Sequence, residues 1–304
     1  MRYVGSLMRQ HVRAPVPFVA LLMFVLLAFE TFGVEEGPSV TPDLAALQQE
    51  SLTLAAEAKG RFHSDFTSNV ASVEFRFIER ARNLLPRQTE HDGPPPFIYI
   101  IHMAEHAEWY KHSLQYILVL RVEDNGFAPL LVYCGGLNER TLRYEELELG
   151  DGKVFEKGES SSTVYAFNTL YIEDWSSGTG HTQQRLLLFR YDEGRGHFCN
   201  VFDQHVTFTG APAAPYEIFK SSVAFRKGER KLKDIIVTTD WLAEEKEPYA
   251  DPFGKDSTCE RCISVFEWNG QHYEGEFKIP EKADSTRKFW SPGKWSPIPA
   301  ESRQ

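Results

Sequence analysis

Residues 262–275 read CISVFEWNGQHYEG and contain the clearest turn signal in the chain. Asn269-Gly270 separates an apolar run from the aromatic residue Tyr273. Asn and Gly both tolerate positive φ, so this pair favours a tight connection between two antiparallel strands. The stretch therefore predicts a β-hairpin.

Two other stretches share this layout. Residues 116–129 read YILVLRVEDNGFAP and residues 185–198 read RLLLFRYDEGRGHF. Val122, Tyr191 and Trp268 then occupy one equivalent position, directly before the turn. Each hairpin follows another apolar strand and a polar loop, so the sequence predicts three degenerate strand–loop–strand–hairpin repeats.

The strands upstream of the hairpins support the same repeat. Short apolar runs at residues 97–101, 169–174 and 234–240 are rich in β-branched and aromatic residues, as strands are. Asp174-Trp175 and Asp240-Trp241 match one another in two of the copies. We expect a mainly β fold, with the repeats packed in a partial propeller-like or sandwich-like arrangement.

The repeats resemble, over residues 97–278, the integrin-like FG-GAP or VCBS repeats of exported bacterial proteins. The apolar strands quoted above and turns such as Glu123-Asp124-Asn125-Gly126 carry this resemblance. It implies blade-like units. Three copies are fewer than the four to eight blades of a closed propeller, so an open or sandwich-like packing is also expected. The alternating Asp residues of the family's calcium loop are not intact in any copy, so calcium binding is not carried over.

The N-terminus predicts export. Three arginines precede the apolar run at residues 16–29, and small residues precede Val34. The run is shorter than the roughly 17 to 25 residues of a membrane-spanning helix and is typical of a secretory signal peptide. We expect cleavage before Val34, or alternatively an uncleaved anchor. Either places the protein in the periplasm or outside the cell.

The segment between export signal and repeats is predicted to be helical. Thr41-Pro42 is typical of a helix start, with Thr41 as N-cap, and Gly60 of its end. A second helix is predicted over residues 69–85. The expected domains are a signal peptide or anchor (1–33), a helical segment (34–96), a β-repeat domain (97–280) and a poorly ordered tail (281–304).

The charge of the chain excludes some partners. Its 33 Lys and Arg residues are outnumbered by 43 Asp and Glu residues, for a net charge of −10. Nucleic acids and anionic membrane surfaces are bound through clustered cations, and the sequence contains no basic stripe. We therefore expect no nucleic-acid partner, and membrane contact only through an uncleaved N-terminal segment.

Four cysteines, Cys134, Cys199, Cys259 and Cys262, are candidates for disulfides, because pairing is usual in exported proteins. Cys259 and Cys262 also form a C-x-x-C motif, which occurs in thiol–disulfide enzymes and in zinc sites. A redox motif opens a helix after a strand, whereas this one leads directly into a strand-like run. Structural use is therefore the favoured interpretation, with a thiol–disulfide function as an alternative.

His102, Glu105 and His106 form the H-x-x-E-H motif of one class of zinc peptidases. On a helix the two histidines could share a zinc ion, with Glu105 as the general base. On a strand they would lie about 13 Å apart, too far for one ion. The helical spacing of Met103, Ala107, Tyr110 and Leu114 allows a short helix here. No second helix after Pro96 offers a further ligand, so a zinc hydrolase remains the alternative and no cofactor is the preferred expectation.

Loops that emerge from one end of stacked repeats could form a binding site. Aromatic rings beside carboxylates suit sugars or peptides. The candidate ligand-binding residues are Trp109, Asp174, Trp175, His181, Asp240 and Trp241. The competing interpretation is that the tryptophans close the core of their sheets. The favoured function is an exported, non-catalytic binding or structural protein of the cell envelope, with a protein, peptide or carbohydrate partner.

Overall fold

The computed structural model describes residues 43–62, 70–81, 84, 97–107, 113–135, 142–149, 155–156, 162–163, 168–178, 181–210, 215–228, 232–247 and 250–283. The predicted export signal and nearly all of the predicted tail lie outside these residues. The described part is mainly β, as predicted, with antiparallel sheets and one helix on the N-terminal side.

Helix α1 (Leu44–Phe62) confirms the first predicted helix. Its N-cap is Asp43 and not the predicted Thr41, because Asp43 Oδ1 accepts a hydrogen bond from the backbone N–H of Ala45 at 2.9 Å. That bond satisfies one of the N–H groups that a helix start leaves without a partner. The helix also continues beyond the predicted end at Gly60.

The strands in chain order are β1 (Val70–Ala81), β2 (Ile98–Ala107), β3 (Ser113–Glu123), β4 (Gly126–Gly135), β5 (Leu142–Glu148), β6 (Phe155–Glu156), β7 (Ser162–Thr163), β8 (Asn168–Gly178), β9 (His181–Asp192), β10 (His197–Gly210), β11 (Phe219–Arg226), β12 (Asp234–Leu242), β13 (Cys259–Trp268) and β14 (Tyr273–Glu274). The apolar runs that predicted strands all lie within this set.

The prediction of a second helix over residues 69–85 is wrong. Strand β1 occupies most of that range and pairs antiparallel with β2 along its whole length. Its sequence contains Val73, Phe75 and Phe77, residue types that fit a pleated, half-buried surface better than a helix. Pairing with a neighbouring strand decides the structure here.

The strands form three successive four-stranded antiparallel meanders. Meander 1 is β1–β4, meander 2 is β5 with β8–β10, and meander 3 is β11–β14. The short β6–β7 pair lies in the connection between β5 and β8. Meanders 2 and 3 belong to one eight-stranded sheet, but β10 and β11 are joined through only two residue pairs, Thr207–Lys220 and Phe208–Phe219.

The third and fourth strands of each meander are joined by a hairpin at the predicted position. Val122 pairs with Phe127 across the first hairpin, Tyr191 with Phe198 across the second, and Trp268 with Tyr273 across the third. In all three hairpins, an aromatic residue on the fourth strand therefore pairs with the last apolar or aromatic residue of the third strand.

Each of these hairpins also contains a glycine at positive φ. Gly126 has φ 145°, Gly196 has φ 68° and Gly270 has φ 109°. A residue with a Cβ rarely adopts these conformations, so glycine is what allows the chain to reverse tightly at each turn.

Side chains alternate between the two sides of a sheet, which gives each meander two faces. We call the face of meander 1 that points toward α1, and the face of each later meander that points toward the meander before it, the backward face. The opposite face of each meander is its forward face. The backward face of meander 1 contributes Leu118 and Leu120 to a core that also contains Leu47, Leu54 and Ala58 of α1. The helix therefore covers this face.

The three meanders pack face to face in the order in which they occur along the chain. Ile117 and Val119 on the forward face of meander 1 share a core with Leu187 and Phe189 on the backward face of meander 2. The forward face of meander 2 contributes a second core, which contains Leu186, Leu188 and Val201 from that meander. The backward face of meander 3 closes this core with Ile235, Val237 and Phe266.

The matched dipeptides Asp174-Trp175 and Asp240-Trp241 are not equivalent in the ladder. Arg185 and Cys262 occupy equivalent positions, because they lie the same number of residues before Tyr191 and Trp268. Asp174 pairs with Arg185. Cys262 pairs with Thr239, so Thr239 and not Asp240 is the counterpart of Asp174. A shift of one residue moves every side chain to the opposite face. The sequence match therefore places Trp175 and Trp241 on opposite faces of their meanders.

Candidate functional site

The H-x-x-E-H motif lies on strand β2 and not on the short helix that its spacing allowed. His102 Nε2 lies 3.0 Å from Gln115 Oε1, and His106 Nε2 lies 3.2 Å from Glu74 Oε2. Burial lowers the pKa of His102, which favours its neutral form. The two histidines are four residues apart on an extended strand, about 13 Å from one another, so they do not share a ligand position.

Glu105 lies on the opposite face of β2, under helix α1. Its Oε2 accepts hydrogen bonds from Lys59 Nζ at 2.9 Å and from the Tyr116 hydroxyl at 3.2 Å. The carboxylate is therefore buried in an ion pair that joins the helix to the sheet, away from both histidines. Among the described residues, no group of three or more His, Cys, Asp or Glu side chains could hold a metal ion.

The predicted loop residues fall in different places. Asp174 is buried and accepts a hydrogen bond from the Tyr133 hydroxyl at 2.7 Å, across the contact between meanders 1 and 2. Trp175 is half-buried, and its Nε1 donates to Glu173 Oε2 at 3.4 Å. His181 pairs with Gly178 at the start of β9.

Trp241 is fully buried in an aromatic cluster. Its ring lies 4.6 Å from the ring of Phe219 and 6.1 Å from that of Phe277, measured between centroids. Asp240, its neighbour, lies on the forward face of meander 3, where its carboxylate binds the Arg261 guanidinium at 2.6 and 3.0 Å. The structure thus separates Asp174, Asp240 and Trp241, and Trp109 lies outside the described residues.

The four cysteines carry free thiols in this structure. Cys134 is buried on β4 and Cys199 is half-buried on β10. Cys259 and Cys262 lie three residues apart on β13, so their side chains point to opposite faces of the sheet. Burial raises the pKa of both of these thiols, which disfavours the reactive thiolate. The local geometry that a C-x-x-C redox pair requires is therefore not present.

The forward face of meander 3 is a sheet surface that exposes the apolar residues Ile263 and Val265. We call it the terminal face. Its centre contains Ala224, Ile236, Ile263 and Val265, which lie in two adjacent rows of the ladder. Ile263 is 51% exposed, although Leu186, at the same ladder position in meander 2, is fully buried.

A polar cleft of about 420 Å³ lies at one end of the terminal face, where residues 250–258 rise beside the sheet. Phe253 forms part of its wall. The polar side chains that line it are Lys220, Ser222, Thr238, Asp240, Ser257 and Arg261. The cleft combines hydroxyl groups with two cations and one carboxylate, so it can donate and accept hydrogen bonds.

A second cleft, of about 500 Å³, lies at the opposite end of β13, between the hairpins of meanders 2 and 3. We call it the hairpin-end cleft. Residues that define it are Arg190, Arg195, Cys199, Asn200, Trp268 and His272. Sequence reasoning missed this cluster because the residues come from two hairpins that are far apart in the chain. The signal that was present is a pair of arginines in the second hairpin, Arg190 near the end of β9 and Arg195 in the turn.

Comparison with protein-family models, with curated proteins and with solved structures gave no match. Within the described residues, no helix has both the length and the apolar character needed to cross a membrane. The inferences below therefore rest on the geometry and chemistry of this chain.

Proposed function

We propose that the protein is an exported, non-catalytic binding protein built from three degenerate FG-GAP- or VCBS-like β-repeats, and that the terminal face is its contact surface for a protein partner. The repeats would correspond to the three meanders. The equivalent hairpins, with their aromatic pairs and positive-φ glycines, support this assignment.

One observation carries the proposal. The forward faces of meanders 1 and 2 are covered by the next meander, but the equivalent face of meander 3 exposes Ile263 and Val265. Solvent-exposed apolar patches bounded by polar residues are typical of interaction sites. Because another β-sheet covers the two equivalent faces, we infer that the partner presents an apolar sheet surface of its own.

Charged residues at the edge of the terminal face would orient the partner on this surface. The row Lys220, Asp240 and Arg261 borders the apolar centre on one side. Asp240 already binds Arg261, and Lys220 in the same row forms no ion pair among the described residues. Rim charges mainly affect association rate and specificity, whereas the buried apolar centre supplies most of the affinity.

The test uses one variant on the terminal face and a matched variant elsewhere. Ile263→Lys places a charge at the centre of the proposed contact. Val73→Lys places the same charge at a residue of similar type on β1 that is 39% exposed. Proteins captured from the envelope fraction count as partners only when the recombinant partner binds the purified chain directly.

We expect Ile263→Lys to weaken direct binding by at least tenfold and Val73→Lys to leave it unchanged. Circular dichroism and thermal melting must show that both variants keep the fold. Partners that bind the two variants equally well would overturn the assignment of the terminal face. Export is tested separately by mass spectrometry of the native protein, which should begin at Val34 if the signal is cleaved.

A further inference from the structure

The hairpin-end cleft has the volume of a small-molecule site. Its volume of about 500 Å³ lies within the range of roughly 300 to 1,000 Å³ that ligand pockets occupy. It lies between two hairpins whose strands are packed against one another, so its walls are held by the core between meanders 2 and 3. Binding groups on such walls are positioned before a ligand arrives.

The cleft is rich in hydrogen-bond donors. The Arg190 guanidinium lies over the ring of Trp268, with its central carbon 4.8 Å from the ring centroid. Stacking of this kind fixes the guanidinium plane. Burial lowers the pKa of Arg190, because a desolvated cation is unfavourable.

Arg195 is the second cation of the cleft, and its contacts within the protein are long. Its Nη1 lies 3.6 Å from Cys199 Sγ, and its Nε lies 3.6 Å from Asp192 Oδ2. Charge-assisted hydrogen bonds are normally about 2.7 to 2.9 Å long, so neither contact saturates the guanidinium.

Asn200 also lines the cleft. Its Nδ2 is buried from solvent, so a ligand in the cleft does not reach this donor. The charged donors of the cleft are therefore Arg190 and Arg195, in a chain whose net charge is −10.

We propose that the hairpin-end cleft binds a small organic oxyanion, whose carboxylate or phosphate group is held by Arg190 and Arg195. Guanidinium groups match both kinds of oxyanion through paired N–H donors. The half-buried ring of Trp268, which lines the same cleft, offers apolar contact to the body of the ligand. The site does not depend on the proposed contact at the terminal face.

Isothermal titration calorimetry of the full chain tests the site with three probes of similar size. Glucose 6-phosphate and glucuronate supply a phosphate and a carboxylate on a sugar, and glucose supplies neither. We expect one or both anions to bind, with an affinity that falls as salt is added, and glucose not to bind. Binding of only one anion identifies which group the site takes.

Two variants separate a binding role from a structural one. Arg195→Gln removes the exposed guanidinium of the cleft and should weaken anion binding by about tenfold or more, because a charge-assisted contact is lost. Asp192→Asn removes the carboxylate of the cleft but keeps the oxygen that caps the turn. It should tighten binding several-fold.

The proposal is overturned if neither anion binds at millimolar concentration, if glucose binds as well as the anions, or if Arg195→Gln binds them like the native chain. Arginines that serve only to pack Trp268 would give the first of these results. Thermal melting of the variants provides the control for folding.

Discussion

The two ends of the stack of meanders differ in whether their outer sheet face is covered. At the first end, helix α1 covers the backward face of meander 1, with Leu47 and Leu54 fully buried. At the other end, the forward face of meander 3 keeps Ile263 and Val265 exposed. Terminal units of stacked β-structures normally present a polar outer face. The contrast teaches that the first end is closed within the chain, whereas the second has the composition of an interface.

The largest difference in stability is expected between substitutions of the two matched tryptophans, of which Trp241 is fully buried and Trp175 is half-buried. Trp241→Ala removes a fully buried ring from its contacts with Phe219 and Phe277, and should lower the free energy of unfolding by about 3 to 5 kcal/mol. Trp175→Ala, at a half-buried ring, should cost about 1 kcal/mol. Urea denaturation measures both, and equal losses would contradict the difference in burial between the two rings.

Two Arg–Asp pairs sharpen the same contrast. Arg185 Nε donates to Asp203 Oδ1 at 2.6 Å, and both side chains are nearly buried. Asp203→Asn leaves the guanidinium buried without its counter-charge and should cost about 3 kcal/mol. Asp240→Asn breaks the pair with Arg261 on the terminal face, where water replaces the lost contact, and should change stability much less. A comparable loss in both variants would show that the terminal face is not solvated.

The half-buried His205 should make the stability of the fold sensitive to acid. Burial, with a smaller contribution from the Arg185 charge, lowers the pKa of His205 to about 3. The unfolded chain, with a His pKa near 6.5, therefore binds one more proton between these values. The free energy of unfolding should fall as the pH drops from about 6.5 toward 3, by up to about 1 kcal/mol per pH unit from this residue.

His205→Gln tests that contribution. Its unfolding free energy, measured by denaturant titration at several pH values, should depend less steeply on pH than that of the native chain. His272→Gln, at an exposed histidine of the third hairpin, is the control and should leave the slope unchanged. An identical slope in the native chain and His205→Gln would refute the assignment.

Much of the fold could be predicted because strand signals are local. The hairpin at Asn269-Gly270 and its two counterparts follow from turn chemistry and from alternation of apolar residues. The N-terminal helix was also recoverable, but its cap was misplaced from Asp43 to Thr41. Residues 69–85 were predicted wrongly although VEFRF at residues 73–77 is a local strand signal, and pairing with β2 decides the structure there.

The candidate sites were harder to predict because they depend on register and on contacts between distant strands. The match of Asp174-Trp175 with Asp240-Trp241 ignores a one-residue shift, and that shift places Asp174 and Asp240 on opposite faces of their meanders. The hairpin-end cleft needs Arg190 beside Trp268, which only the packing of meanders 2 and 3 provides. The order of the repeats along the sequence predicts neither the register shift nor the contact between Arg190 and Trp268.

The most direct test of the stacking compares two equivalent positions. Leu186 and Ile263 lie at the same ladder position of meanders 2 and 3, one buried and one exposed. Urea denaturation should show a loss of about 2 to 5 kcal/mol for Leu186→Ala. Ile263→Ala should cost less than about 0.5 kcal/mol, as surface substitutions do. A loss of similar size for Ile263→Ala would mean that the terminal face is covered within the chain, and would contradict its role as a contact surface.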